Sequence, residues 1–78
     1  MKRFDLREQK EGVIDLFQRL VIDEVDRGEA AIFIFEVGDF SIVQQSADLI
    51  KKLGFELLNS LKYNEVDWTI SIRKPVNL

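Results

Sequence analysis

The sequence predicts an α/β (α+β) two-layer sandwich in the order β-α-β-α-β-β, with a four-stranded mixed sheet carrying two helices on one face. Three observations predict it. First, Val13, Leu16, Phe17, Leu20, Val21 and Val25 recur at spacings of three and four, with polar residues filling most of the gaps. That spacing places them on one face of a helix. Second, Ala30 to Val37 is an apolar run rich in β-branched and aromatic residues, interrupted only by Glu36. It is too short for a second helix so soon after the first, and it reads as a central strand. Third, Phe55 to Lys74 divides at Asn64-Glu65 into two strand-like halves, the pattern of a hairpin. A helical stripe as wide as the first one is buried only against something flat and apolar, which the sheet supplies.

The elements follow in chain order. Lys2 to Arg7 alternates, with Phe4 and Leu6 on one side and Arg3, Asp5 and Arg7 on the other, as in a strand with one buried face. Glu8 to Gly12 is a charged connection. The first helix runs from Gly12 or Val13 to about Asp26, with Gly28 just past it in the place of a left-handed cap. After the central strand, Gly38-Asp39-Phe40 is a turn. Ser41 and Gln44 then fit a capping box that opens a second helix ending near Leu53. Val43, Ala47, Ile50 and Leu53 form its inner stripe. Gly54 caps it, preceded by Lys51 and Lys52, which suit the negative end of the helix dipole. In the last strand Trp68, Ile70 and Ile72 alternate with Asp67, Thr69, Ser71 and Arg73, which predicts one buried and one wet face before Pro75 ends it.

Composition narrows the function classes. At 78 residues the chain is a single domain, 1–78, with a thin core. It has no cysteine and no histidine, which removes thiolate chemistry, disulfides and the usual zinc sites. A net charge of −3 argues against nucleic acid as a partner. No apolar run approaches the ~18 residues of a membrane span, and the N-terminus lacks an apolar signal core, so the expected location is cytoplasmic. The four glycines are scattered singly, so no phosphate cradle is present, and the serines have no histidine to activate them. Glu36 and Asp39 bracket a turn, but two carboxylates are too few for a hard cation. Asp23, Glu24 and Asp26 read as a solvated helix face. Trp68 reads as core beneath a helix, with an interface anchor as the alternative. No catalytic residue, metal ligand or cofactor is expected, and the chain is not expected to be an enzyme.

With both helices on one side of the sheet, the other side has no helix over it. Either Ile32 and Ile34 or Phe33 and Phe35 must point there, and both pairs are apolar. Such a face marks a partner surface. The candidate partner-binding residues are Phe33 and Phe35 on the strand, together with Arg7, Lys10, Glu11 and Gly12 in the loop before the first helix. The expected partner is a protein or a second copy of the chain.

Several local patterns carry a resemblance that spans nearly the whole chain. Asp5-Leu6-Arg7, Gly28-Glu29, Gly54-Phe55-Glu56-Leu57-Leu58 and Ile70-Ser71-Ile72-Arg73-Lys74 stand at nearly the spacing of similar stretches in the TusA/SirA-like sulfur carriers. The chain therefore resembles a divergent member of that family, whose two-layer fold has the same element order. The family's signature is a Cys-Pro-x-Pro motif entering the first helix. Here Glu11, Gly12 and Ile14 stand at its three fixed positions, so the resemblance implies no persulfide chemistry. Glu11 would still lie at the positive end of the helix, where a carboxylate gains about 0.3–1 kcal/mol. The resemblance implies a non-catalytic TusA-like protein-binding or assembly module; the alternative is an accessory or regulatory partner of a sulfur-metabolism or redox enzyme.

Overall fold

The computed structural model describes residues 1–37 and 40–76. The elements are β1 (Lys2–Asp5), α1 (Val13–Asp23), β2 (Ala30–Glu36), α2 (Ser41–Lys52), β3 (Glu56–Lys62) and β4 (Asp67–Arg73). The sheet order is β1-β2-β4-β3. β1 runs parallel to β2, and β4 runs antiparallel to both β2 and β3. The sheet is therefore mixed, and the strand that comes last in the chain lies inside it.

This order corrects one expectation. Alternation assigns Asp67, Thr69 and Ser71 to a wet face, yet all three are buried. The alternation of β4 is real, but β4 is flanked on both sides, by β2 and by β3. Its small side chains therefore sit below the level of their neighbours.

The core lies between the sheet and the two helices. Phe17 and Val21 of α1, Ile50 of α2, Ala31, Phe33 and Phe35 of β2, and Ile70 and Ile72 of β4 belong to one buried cluster. Phe33 is its centre. Phe4 stacks on it with ring centroids 4.9 Å apart, and Phe17 meets it edge-on at 4.8 Å. Aromatic pairs at these distances add about 0.5–1.5 kcal/mol beyond area burial. Leu16 and Leu20 are only partly buried, so the deepest line of α1 runs through Phe17 and Val21. In α2 the fully buried pair is Ser46 and Ile50 rather than Ala47 and Ile50. The Ser46 hydroxyl is satisfied by donating to the Val43 carbonyl at 2.9 Å.

The four helix ends are each treated differently. Gly12 is the N-cap of α1 with φ 66°, a left-handed conformation that glycine adopts without a Cβ clash. At the other end α1 stops at Asp23, three residues before the expected Asp26, and carries no basic residue in its last turn. Lysines from elsewhere serve it. The Lys74 ammonium donates to the Ile22 carbonyl at 2.7 Å, and the Lys2 ammonium donates to the Glu24 carbonyl. Both cations meet the negative pole of the helix. Gly28 is thus not the helix cap. It lies in the turn from Asp26 to Glu29, closed by the Glu29 N–H donating to the Asp26 carbonyl at 2.9 Å, and its φ of 80° suits the third position of a type II turn.

Gly54 does cap α2 as expected. Its N–H donates to the Lys51 carbonyl, and the Phe55 N–H donates to the Ile50 carbonyl, the paired bonds of a Schellman motif. The other end of α2 departs from the expected capping box. Phe40, one residue before Ser41, is the N-cap and makes no side-chain cap bond, and the Gln44 amide donates forward to Asp48 at 2.8 Å. The remainder of the expected turn, Gly38 and Asp39, lies outside the described residues, and so does the pairing of Glu36 with Asp39.

Candidate partner-binding face

The side of the sheet away from the helices can be read from the register. Phe33 pairs with Phe4 and Ile70, all members of the helix-covered layer or packed against it. The neighbouring rows must then face the other way. One row is Arg3, Ile32, Ser71 and Asn59; the next is Asp5, Ile34, Thr69 and Leu61. Ile34 is 3% exposed yet stands outside the main core cluster. A β-bulge between Leu57 and Asn59 re-aims the middle of β3. Leu61 and Tyr63 remain more than half exposed on this side.

The result is a trough. Its floor is Thr69 and Ser71 of β4. One wall is Ile32 and Ile34, and the other is Leu61 with Tyr63 beyond the end of β3. Within it is a hollow of about 450 Å³ lined by Met1, Arg3, Ile32, Ile34, Tyr63 and Thr69. The Thr69 hydroxyl donates to the Leu61 carbonyl at 3.1 Å.

Charge is distributed unevenly along the trough. At one end the Arg7 guanidinium forms a two-pronged contact with Asp5, Nε to Oδ1 at 2.9 Å and Nη2 to Oδ2 at 2.6 Å. Its third nitrogen reaches Asp67 Oδ2 at 3.4 Å, and Asn64 Nδ2 donates to the same oxygen at 2.8 Å. The Arg7 side chain, then the Arg7 backbone N–H, hold the Asp5 carboxyl down to about 2 from an ordinary 3.8, and Asp5 in turn raises the Arg7 guanidinium above its ordinary range. Lys10 pairs with Glu36 at 3.3 Å near the same end. Arg3, two residues before Asp5 on the same face of β1, lines the hollow and adds its charge to holding the Asp5 carboxyl down. At the opposite end Arg73 makes no hydrogen bond or ion pair among the described residues. Glu56 stands beside Arg73 in the register without an ion pair to it.

The expected site residues divide accordingly. Phe33 and Phe35, 0% and 2% exposed, lie in the core under the helices and cannot touch a partner. The pair turned to the open side is Ile32 and Ile34. The two faces of the strand are equally apolar in sequence, and only the packing of Phe17 and Phe4 on Phe33 decides between them. Arg7 and Lys10 are engaged by carboxylates. Glu11 is exposed, and its backbone carbonyl accepts from the Gln9 amide. The N-cap position belongs to Gly12, and no side-chain cap bond is formed, so Glu11 does not cap α1. Met1, Arg3 and Tyr63 escape a sequence reading because their convergence depends on the whole strand order, with β1 beside β2 and β4 between β2 and β3. Trp68 is partly buried on the helix side, where its indole N–H donates to Ser60 at 2.7 Å and its ring meets Phe40 edge-on at 6.3 Å.

Together these features define a small α+β domain with one helical layer and a bare, trough-shaped sheet face. The chain belongs to the putative NADH-ubiquinone oxidoreductase E-chain family, whose model matches residues 1–74. It is similar to a solved structure, the solution structure of HP1264 from Helicobacter pylori, with 52% identity and a TM-score of 0.68 over 96% of this chain and 99% of that one. No curated protein matches it. The family match overturns the resemblance to the TusA/SirA-like carriers. The patterns behind that resemblance have local causes. Asp5-Leu6-Arg7 is an aspartate–arginine fork, Gly28-Glu29 is a turn, and Ile70-Ser71-Ile72-Arg73-Lys74 is strand alternation with a cation at its end. Unrelated chains of the same element order meet the same local demands.

No helix of the described residues is long and apolar enough to cross a membrane.

Proposed function

We propose that this chain is a non-catalytic subunit that docks onto another protein of an NADH–ubiquinone oxidoreductase assembly through its helix-free sheet face. The single observation that carries this reading is the trough: Leu61 and Tyr63 stand more than half exposed, and Tyr63 lines a hollow with Ile32 and Ile34 on a face with no covering layer. Contiguous apolar surface of this kind is costly to leave in water and commonly marks an interface. The family's description supports a place beside redox subunits. The residue inventory supports a role without an iron–sulfur centre of its own, since such clusters are held by cysteine thiolates or, in part, by histidine, and the chain has neither.

The test uses the tagged chain in its native host. Detergent-solubilised membranes and the soluble fraction are resolved on native gels and stained for NADH oxidation. The chain is expected to run with the NADH-oxidising band, and Leu61→Lys/Tyr63→Lys is expected to run free while keeping its thermal midpoint. A wild-type chain that migrates only as free protein in both fractions overturns the proposal.

A further inference from the structure

We infer that two copies of this chain join along the free edge of β3, antiparallel, with a two-fold axis at Leu61. This surface is the rim of the sheet rather than its open face, so the pairing does not rest on the docking reading above.

The edge is available. β3 ends the sheet order, and no strand lies beyond it among the described residues. Its ladder to β4 fixes which backbone groups are spare. The Tyr63 N–H donates to the Asp67 carbonyl at 3.0 Å, so Tyr63 and Asp67 form a hydrogen-bonded pair. Such pairs alternate with non-hydrogen-bonded ones along an antiparallel ladder. The register then makes Leu61 with Thr69, and Asn59 with Ser71, hydrogen-bonded pairs as well. The Leu61 carbonyl accordingly lies on the β4 side, where it also accepts from the Thr69 hydroxyl at 3.1 Å. Ser60 and Lys62 are left with their N–H and C=O groups pointing outward, away from the sheet. The other edge, β1, is less suited to pairing, since Lys2, Arg3 and Asp5 put charge at three of its four positions.

Self-complementarity selects a second copy and one register. A closed dimer uses the same patch on both chains, and outward-facing residues must meet outward-facing residues. Ser60 against Ser60 would put Lys62 opposite Leu58, at the β-bulge where the ladder is irregular. Lys62 against Lys62 would set two cations face to face. Ser60 against Lys62 avoids both faults. It forms two such pairs, each exchanging two backbone hydrogen bonds, for a total of four. It also places Leu61 opposite Leu61 in a close, non-hydrogen-bonded pair on the open side, and Tyr63 opposite Asn59. Leu61 and Tyr63, 57% and 55% exposed in a single copy, are the side chains that this covers. Each chain has a single β3 edge, so the assembly closes at two. A contact this short falls below the standard interface area of about 800 Å² per partner, so the dimer is weak and concentration-dependent.

Sedimentation velocity of the purified chain from micromolar to millimolar concentration, with amide hydrogen exchange over the same range, tests this. The mean mass is expected to rise toward that of two chains, and the Ser60 and Lys62 amides to gain protection as it does. Lys62→Pro removes one outward donor per copy without touching the β4 ladder, and is expected to weaken the dimer about tenfold or more. Lys62→Ala keeps that donor and is expected to leave the affinity within about threefold, because the exposed Lys62–Glu65 contact contributes little. Should Lys62→Pro lose its helical circular dichroism, Leu61→Lys takes its place by setting two cations on the axis. A chain that stays monomeric throughout, a dimer that survives the folded variant, or equal weakening by Lys62→Ala and Lys62→Pro overturns the inference. A monomeric wild-type chain that still co-migrates with the NADH-oxidising band removes the dimer and leaves docking standing.

Discussion

Phe17 is the side chain on which the packing argument can be tested most sharply. It is 1% exposed and sits edge-on over Phe33, which also carries Phe4. Replacing it with alanine removes a buried ring and leaves a cavity bounded by the sheet on one side and α1 on the other, at a cost of about 3–5 kcal/mol. A chain of 78 residues has a total stability of about 4–12 kcal/mol, so the loss is a large share of the whole. The thermal midpoint should fall by about 12 °C or more, at about 4–8 °C per kcal/mol for a domain of this size. The informative comparison is Leu16→Ala, one residue away on the same helix. Leu16 lies at the margin of the core and keeps part of its surface in water, so truncation should cost about 1–2 kcal/mol. Urea denaturation followed by far-ultraviolet circular dichroism gives both values, and an unchanged m-value confirms that the denatured state is comparable. Equal losses in the two variants, or a Phe17→Ala loss below about 1 kcal/mol, would falsify the placement of the core along Phe17 and Val21.

Three further outcomes are expected. Asp5 binds its proton more weakly when folded, at about 2, than in the unfolded chain, at 3.8, so its stabilising effect is complete above the ordinary carboxylate range and drains away as pH falls toward about 2. A stability-versus-pH series should therefore decline on acidification, and Asp5→Asn should make that decline shallower. Gly54→Ala should cost about 1 kcal/mol through its left-handed φ of 79° with open space around it, and Gly28→Ala more, because a Cβ there would also meet Val76 Cγ2 at 3.1 Å; thermal melts rank the two. Lys74→Met keeps the side-chain stem but removes the donor to the Ile22 carbonyl, so it should cost about 0.5–1 kcal/mol and speed amide exchange in the last turn of α1 relative to α2.

Much of the architecture is legible in the residues because it is set locally. The three-and-four spacing of α1, the apolar run of β2 and the glycine after α2 each encode their own element, and each is found where its pattern places it. The open side of the sheet also follows from counting helices and crossovers. What the chain does not display is spatial order. Nothing in residues 67–73 tells that this strand is flanked on both sides, so Thr69 and Ser71 read as wet. Nothing in Ile32-Phe33-Ile34-Phe35 distinguishes two equally apolar faces until Phe4 and Phe17 arrive from elsewhere. Gly28 fits a helix cap by position, but α1 has already ended. The tie between Arg7 and Asp67 spans 60 residues and has no local signature.

The inside position of β4 has a consequence during synthesis. The ribosome delivers residues at about 5–20 per second, N-terminus first. Until the stretch from Asp67 onward emerges, β1 has only β2 to pair with and β3 has no neighbour in the sheet. β2 and β3 must each wait with unpaired backbone along the edge that β4 will later fill. The nascent chain thus holds an unfinished gap in its middle, and insertion of the final strand zips two fragments into one sheet. Completion of the sheet is tied to the arrival of β4 rather than spread over the elements before it.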